Sequence, residues 1–273
     1  AKSKQEINLV QRPIKKYAPL FIFPTFAAFC IGFVWPFIQG IYLSFCNFNT
    51  PRDAKWVGFA NYMKVFSDAG FANAFKNTAL FAIVSIILIN VLAFFIAYAL
   101  TQKMRGANLY RTVFFLPMVA APAAIAMVWR FLYNQQFGLI NNVFHTTTAW
   151  ISDPKIAWIS IGVIGVWSIV GYNMILLIAG LQEIPHDYYE AAEIDGATGV
   201  KQFFRITIPL LSPTIFFIVQ TRIIGALQQF DLIFMMMDRS NPALPKTQTV
   251  VYYFYVNAFQ YNNRGLGAAI VLC

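Results

Sequence analysis

YYEAAEIDGATGVKQFFRITIP, residues 188–209, lies between two long apolar runs. With Asp187 just before it, the segment holds four of the chain's eleven acids, namely Asp187, Glu190, Glu193 and Asp195. A loop that only linked two membrane helices would need a few turn residues. This one has the chemistry of a helix, a turn and a second helix. Pro185 suits a first helical position, where its missing N–H would be unsatisfied in any case, and Asp187 and Glu190 bring carboxylates to the positive end of the helix dipole. Ala191 and Ala192 favour helix. Gly196 is placed to end it in the left-handed conformation, and Thr198 to cap a second helix that runs to Pro209. The whole of 183–209 then exposes a compact, small-residue, acid-edged face suited to docking.

The runs on either side set the class. Hydrophobic residues make up 59% of the 273-residue chain and charged residues 11%, against about a quarter charged in soluble domains. Uncharged runs at 17–51, 77–102, 112–129 and 156–182 each reach or approach the roughly 20 residues that span hydrocarbon. A fifth, 206–237, is interrupted by Arg222 and Asp231. The apolar stretch from Gly265 to Cys273 is too short to cross and reads as an incomplete sixth helix. The expected fold is an all-α, polytopic membrane bundle of about six transmembrane helices occupying 17–273. Residues 1–16 form a polar segment whose Lys2, Lys4, Arg12, Lys15 and Lys16 fit a cytoplasmic N-terminus. Kinks are expected at Pro19, Pro24 and Pro36 in the first helix and at Pro117 and Pro122 in the third, with external loops at 46–76 and 238–264.

Several functions are excluded. The net charge of +9 forms no basic patch interleaved with aromatics, so nucleic acid is not a partner. Cys30, Cys46 and Cys273 have no metal-ligand or CxxC spacing and read as small apolar fillers. No phosphate-binding GxxxxGK[ST] loop occurs, and the two histidines, His145 and His186, are far apart in sequence. The chain is therefore expected to have no catalytic site, no metal and no cofactor of its own. A secondary transporter would place ionisable groups in several spans, whereas Arg222 and Asp231 are the clear ones here. A purely structural membrane protein would need neither the acidic loop nor midspan polar residues.

Those polar residues are candidates for a solute path. Tyr172 and Asn173 sit near the middle of the fourth run, among glycines that allow close helix approach. On one continuous fifth helix, Arg222, Gly225, Ala226 and Gln229 share a face, with Asp231 nearly opposite Arg222 and about 13 Å along the axis. Arg222 then meets either a protein partner or an anionic group on the solute.

Glu190-Ala191-Ala192, Gly196 four residues after Ala192, and Ile206-Thr207-Ile208-Pro209 after nine more resemble the EAA loop of permease subunits in ABC importers. That pattern ends Ile-x-Leu-Pro, so Ile208 is one conservative departure. WVGFANYMKVF at 56–66 resembles the WxGLxNYxxxF stretch of sugar-importer permeases, and 109–141 and TTTAWISDP at 146–154 resemble the maltose-type group. The resemblance implies a type I importer permease in a bacterial or archaeal inner membrane, carrying sugars or oligosaccharides, acidic ones included, or else glycerol phosphate or another small polar solute. It implies four kinds of partner besides the lipid bilayer: a second homologous permease, two cytoplasmic ATPases that hold ATP and magnesium, an extracytoplasmic solute-binding protein and the carbohydrate itself. Glu190, Ala191, Ala192, Asp195, Gly196, Ile206 and Pro209 would dock in the ATPase groove. Tyr172 stands where the maltose-type permease also has Tyr, and Gln228-Gln229-Phe230 matches a polar-polar-Phe triplet on its sugar path. The substrate-path candidates are thus Tyr172, Asn173, Arg222 and Gln229.

Overall fold

In hydrocarbon each backbone N–H and C=O must be satisfied within its own segment, which turns long apolar runs into helices. The computed structural model describes residues 17–101 and 104–273; the expectations for 1–16 and for a helix end at Gln102 lie outside the described residues. Among the described residues four helices are long and apolar enough to cross a membrane, and a bent pair can make a fifth crossing. The chain forms two units, Asp68–Tyr253 and a smaller one made of Ala1–Ser67 and Phe254–Cys273.

In the smaller unit, α1 (Tyr17–Ser44) is an apolar span whose large side chains are mostly exposed as far as Tyr42. It widens to a π turn at Cys30–Val34 immediately before Trp35-Pro36, where the proline cannot donate to the ladder. A short hairpin, β1 (Cys46–Asn47) and β2 (Lys55–Trp56), and α2 (Ala60–Ser67) follow. The motif at 56–66 is what packs this turn. Asn61 Nδ2 donates to the carbonyls of Ser44 and Cys46, each at 2.9 Å, and the Phe45 ring stacks on Trp56 with Phe59 and Tyr62 around it.

In the larger unit, α3 (Ala69–Thr101) begins eight residues before the expected start at 77, because the amphipathic turn from Ala69 to Lys76 continues the helix instead of looping. The third span is not one kinked helix. It divides into α4 (Ala107–Val119) and α5 (Pro122–Leu132), bent by 100°. Pro117 stays inside α4; the break falls at Ala120-Ala121, whose extended backbone suits the residue before Pro122 at the start of α5. After α6 (Leu139–Phe144) comes α7 (Ala157–Gln182), then α8 (Asp187–Ile194) and α9 (Gly199–Leu227), which contains a π turn at Phe203–Thr207. The second short helix expected between Thr198 and Pro209 is therefore the first turns of α9. The expected fifth span to 237 ends at Leu227, and a separate α10 (Asp231–Met236) follows a break at 228–230.

The stretch expected as a loop at 238–264 contains α11 (Leu244–Thr247) and α12 (Val250–Tyr255). In the smaller unit, α13 (Arg264–Leu272) packs so tightly that a Cβ on Gly265 would lie 2.1 Å from the Cys46 carbonyl oxygen.

The core of the larger unit lies where α3, α7 and α9 meet, through Ala93, Ala97, Met174, Leu177, Leu211 and Ile218, all almost fully buried. Gly171 lets α4 reach α7: a Cβ there would fall 1.9 Å from the carbonyl oxygen of Phe114. Such backbone approach is how small residues hold helices together where lipid removes any hydrophobic drive between them.

Candidate docking element and midspan cavity

Two places in the larger unit have functional chemistry. The first is the segment from α8 to the start of α9. Pro185 is not the first helical residue; it stands two residues before α8, with its carbonyl accepting from Tyr188 N–H. Gly196 ends α8 at φ +70°. Ala197 N–H reaches the Ala192 carbonyl and Gly196 N–H reaches that of Glu193, so the turn is a Schellman cap. Thr198 takes the cap position of α9 through its carbonyl, which accepts from Gln202 N–H, but its side chain makes no capping bond. The short helix is tied to the base of α9 by Tyr189 Oη and Thr207 Oγ1, 3.0 Å apart.

The exposed face of this element carries Glu190, Ala191, Asp195, Gly196 and Pro209, while Ala192 and Ile206 are partly covered. It also carries two residues that sequence reasoning passed over. Ile194 is 87% exposed and Val200 70%, flanking the Gly196 turn in a segment too polar to sit in hydrocarbon. Behind the element, a cleft of about 420 Å³ with a mixed lining is bounded by Tyr189, Glu193 and Gln202 on one hand and Leu181, Ile184 and Phe203 on the other.

The second place is at the other end of α9. Arg222, Gly225 and Ala226, on one face of α9, line one slot with Ser85, Gly165 and Gln229, which lies in the break beyond Leu227 and not on the continuous helix expected from the sequence. The slot holds only about 20 Å³, enough for about one water. Through Gln229, Gly165 and Ile169 it adjoins a cavity of about 190 Å³ lined also by Ser168, Asp231 and Pro122. Asp231 is thus not opposite on the same helix, since the break re-aims the chain and brings Asp231 to the same cavity as Gln229.

The break is held in part from outside its own sequence. Thr249 Oγ1 donates to the Gln229 carbonyl at 2.6 Å, supplying the partner that a continued helix would have offered. The segment bearing Thr249 is fixed in turn to α3: Asn77 Nδ2 donates to the carbonyls of Pro245 and Gln248, and Val250 N–H to Thr78 Oγ1.

The other two path candidates lie deeper in the bundle. Asn173 is fully buried and donates to Asn90 Oδ1 at 3.2 Å, and its own Oδ1 is unpartnered. Tyr172 is partly buried and close enough to Arg222 to interact with it electrostatically. Neither lines the slot or the adjoining cavity. Among the described residues no cluster of His, Cys, Asp or Glu could hold a metal ion.

Comparison with known proteins gives the family. Residues 105–272 match the family described as binding-protein-dependent transport system inner membrane component. The sn-glycerol-3-phosphate transport system permease protein UgpA of Rhizobium meliloti is 35% identical, over 94% of this chain and 89% of the relative. The lactose transport system permease protein LacF of Rhizobium radiobacter is 30% identical over 89% and 83%. The probable starch degradation products permease AmyD of Thermoanaerobacterium thermosulfurigenes is 34% identical over 71% and 67%. In fold, the chain superposes on a crystal structure of a bacterial ABC transporter that imports the acidic polysaccharide alginate, with TM-score 0.83, 20% identity, and 96% and 92% of the two chains covered. The chain belongs to the family of inner-membrane components of binding-protein-dependent transport systems, as a permease and not an enzyme.

Proposed function

We propose that this permease forms half of the path of an ATP-driven importer of sugars or small polyols, and that α8 with the Gly196 turn passes the motion of a separate ATPase to the bundle. The observation that carries the reading is the exposed element itself. A Schellman-capped helix is bonded to the base of a span through Tyr189 and Thr207, with Ile194 and Val200 presented outward. Rigid elements at a joint are what two-state rocking requires, and an exposed apolar pair rimmed by Glu190 and Asp195 is the composition of a docking face. The ATP and its magnesium belong to the ATPase.

The cavity beside Gln229 supports a paired permease. At about 190 Å³ it falls short of the roughly 300–1,000 Å³ typical of small-molecule sites, so a second permease supplies the other wall. An extracytoplasmic binding protein delivers the solute, as in the alginate importer crystallised with its periplasmic protein. The solutes named for the relatives, lactose, starch products and glycerol phosphate, are all hydroxyl-rich, and amides such as Gln229 bond hydroxyls well.

Co-expression with the neighbouring transport components and purification on a tag on this chain should recover an ATPase and a second permease. Vesicles holding that assembly, given binding protein outside and ATP inside, should accumulate a sugar or polyol. A chain that purifies without an ATPase, or vesicles that take up none of these solutes, would refute the reading.

A further inference from the structure

Arg264 opens α13 without a partner in the protein. A cation in the first turn opposes the helix dipole, so the residue is not there to stabilise α13. It is exposed and, among the described residues, makes no hydrogen bond and no ion pair. The described part of the smaller unit, 17–67 and 254–273, holds four cations, Arg52, Lys55, Lys64 and Arg264, against one acid, Asp53, an excess of three positive charges. Asp53 accepts from Thr50 Oγ1 and not from Arg264. The depth of Arg264 is fixed as well. α1 ends its apolar run at Ser44, and the close approach of Gly265 to the Cys46 carbonyl holds the start of α13 beside that exit, at the level of lipid headgroups. From there a groove of about 520 Å³ runs between α1 and α13. Arg264 is the one polar side chain in its lining. Ala268, Val271 and Leu272 follow on the same face of α13, over about 12 Å at 1.5 Å per residue, and Phe37 and Gly40 of α1 form another wall. A Cβ on Gly40 would meet nothing within 4 Å, so this glycine opens on the groove and does not serve a tight helix contact.

We propose that this groove holds an anionic phospholipid, with its phosphate on Arg264 and an acyl chain lying along Ala268 and Leu272. The guanidinium offers a planar fork of donors that matches phosphate oxygens, and everything beyond it in the groove offers only apolar contact. A transmembrane helix of another protein could fill the apolar part, but it would have to bring an acid to headgroup depth to answer Arg264. A phospholipid carries the anion and the apolar chain in one molecule, at the separation that the membrane itself sets. A net anionic headgroup is favoured over a zwitterionic one because the unit's excess positive charge has no acid to neutralise it. Seated between α1 and α13, the lipid adds contacts to both and stabilises the smaller unit.

The intact permease, with the partner chains that co-purify, is stripped of lipid in detergent and titrated with phosphatidylglycerol and, separately, with phosphatidylcholine of the same acyl chains, bound lipid being counted by native mass spectrometry. The parent should bind phosphatidylglycerol about fivefold more tightly than phosphatidylcholine, and Arg264→Gln should bring the two within about twofold, the step expected for one arginine at an anionic lipid surface. Gly40→Leu puts a side chain into the open space of the groove and should weaken the binding of both lipids. Arg52→Gln removes the same charge from the same unit outside the groove and should change neither. A parent with no preference for the anionic lipid overturns the proposal. So does a loss in Arg52→Gln equal to that in Arg264→Gln, which would make the effect one of overall charge, and so does unchanged binding in Gly40→Leu. A crosslinker placed at position 268 that captures a partner chain in the membrane, and not lipid, would give the groove to protein and also overturn it.

Discussion

Gly196 and Gly171 show how differently two glycines can matter. Gly196 sits at φ +70°, and a Cβ there would meet nothing within 4 Å. A side chain is therefore opposed by backbone conformation, at about 1–2 kcal/mol, and by whatever docks on the turn. Gly196→Leu should leave the permease inserted and folded yet abolish substrate-stimulated ATP hydrolysis in the assembled complex; stimulation at the parent level would contradict docking at this face. Gly171 has ordinary helical backbone but no room, with the Phe114 carbonyl oxygen 1.9 Å from a Cβ position. Gly171→Ala should force α4 and α7 apart and sharply lower the yield of monodisperse protein in detergent. The first glycine was legible from its spacing in the EAA-like pattern. The second was not, since Gly162, Gly165, Gly171 and Gly180 look alike in sequence, and only the position of α4 distinguishes them.

At the scale of elements, the helices were legible where apolar length decides, and their ends were not where a distant partner decides. α7 starts at Ala157 and ends at Gln182, within a residue of the apolar run that predicts it. The fifth span breaks at 228–230 without a glycine or proline at those positions, so nothing local announces it. What fixes the break is Thr249, twenty residues on, whose Oγ1 satisfies the Gln229 carbonyl. Because the break aims Gln229 and Asp231 into one cavity, the cavity was not legible either, although the shared face of Arg222, Gly225 and Ala226 was. Thr249→Val removes that donor and leaves a partly buried carbonyl unpaired, at up to about 1–3 kcal/mol. It should reduce uptake severalfold, with Thr249→Ser restoring most of it. Equal uptake by parent and Thr249→Val would mean that the break is held by other contacts.

Across the whole molecule, the docking element and the cavity lie at opposite ends of the same helices. α8 is tied to Thr207 at the base of α9, and Arg222 lies fifteen residues farther along, about 22 Å at 1.5 Å per residue. Between them α9 is locked to α7 and α3 by a shared core that includes Met174 and Ile218, both fully buried. A joint, a rigid shaft and a site can therefore be perturbed separately. Gln229→Ala alters the site end, and should impair uptake more than basal ATP hydrolysis while leaving thermal stability near that of the parent. Met174→Ala alters the shaft. Deleting a fully buried side chain of this size costs about 2–5 kcal/mol where the surroundings cannot collapse, and the lost packing contacts matter in a bilayer as they do in water. Its unfolding temperature in detergent should fall, and uptake and ATP hydrolysis should decline together in proportion to the folded fraction. Measured side by side, a variant at Gln229 that loses both activities equally would place that residue in the shaft, and a Met174→Ala protein that keeps its stability but loses only uptake would place the solute path through the core.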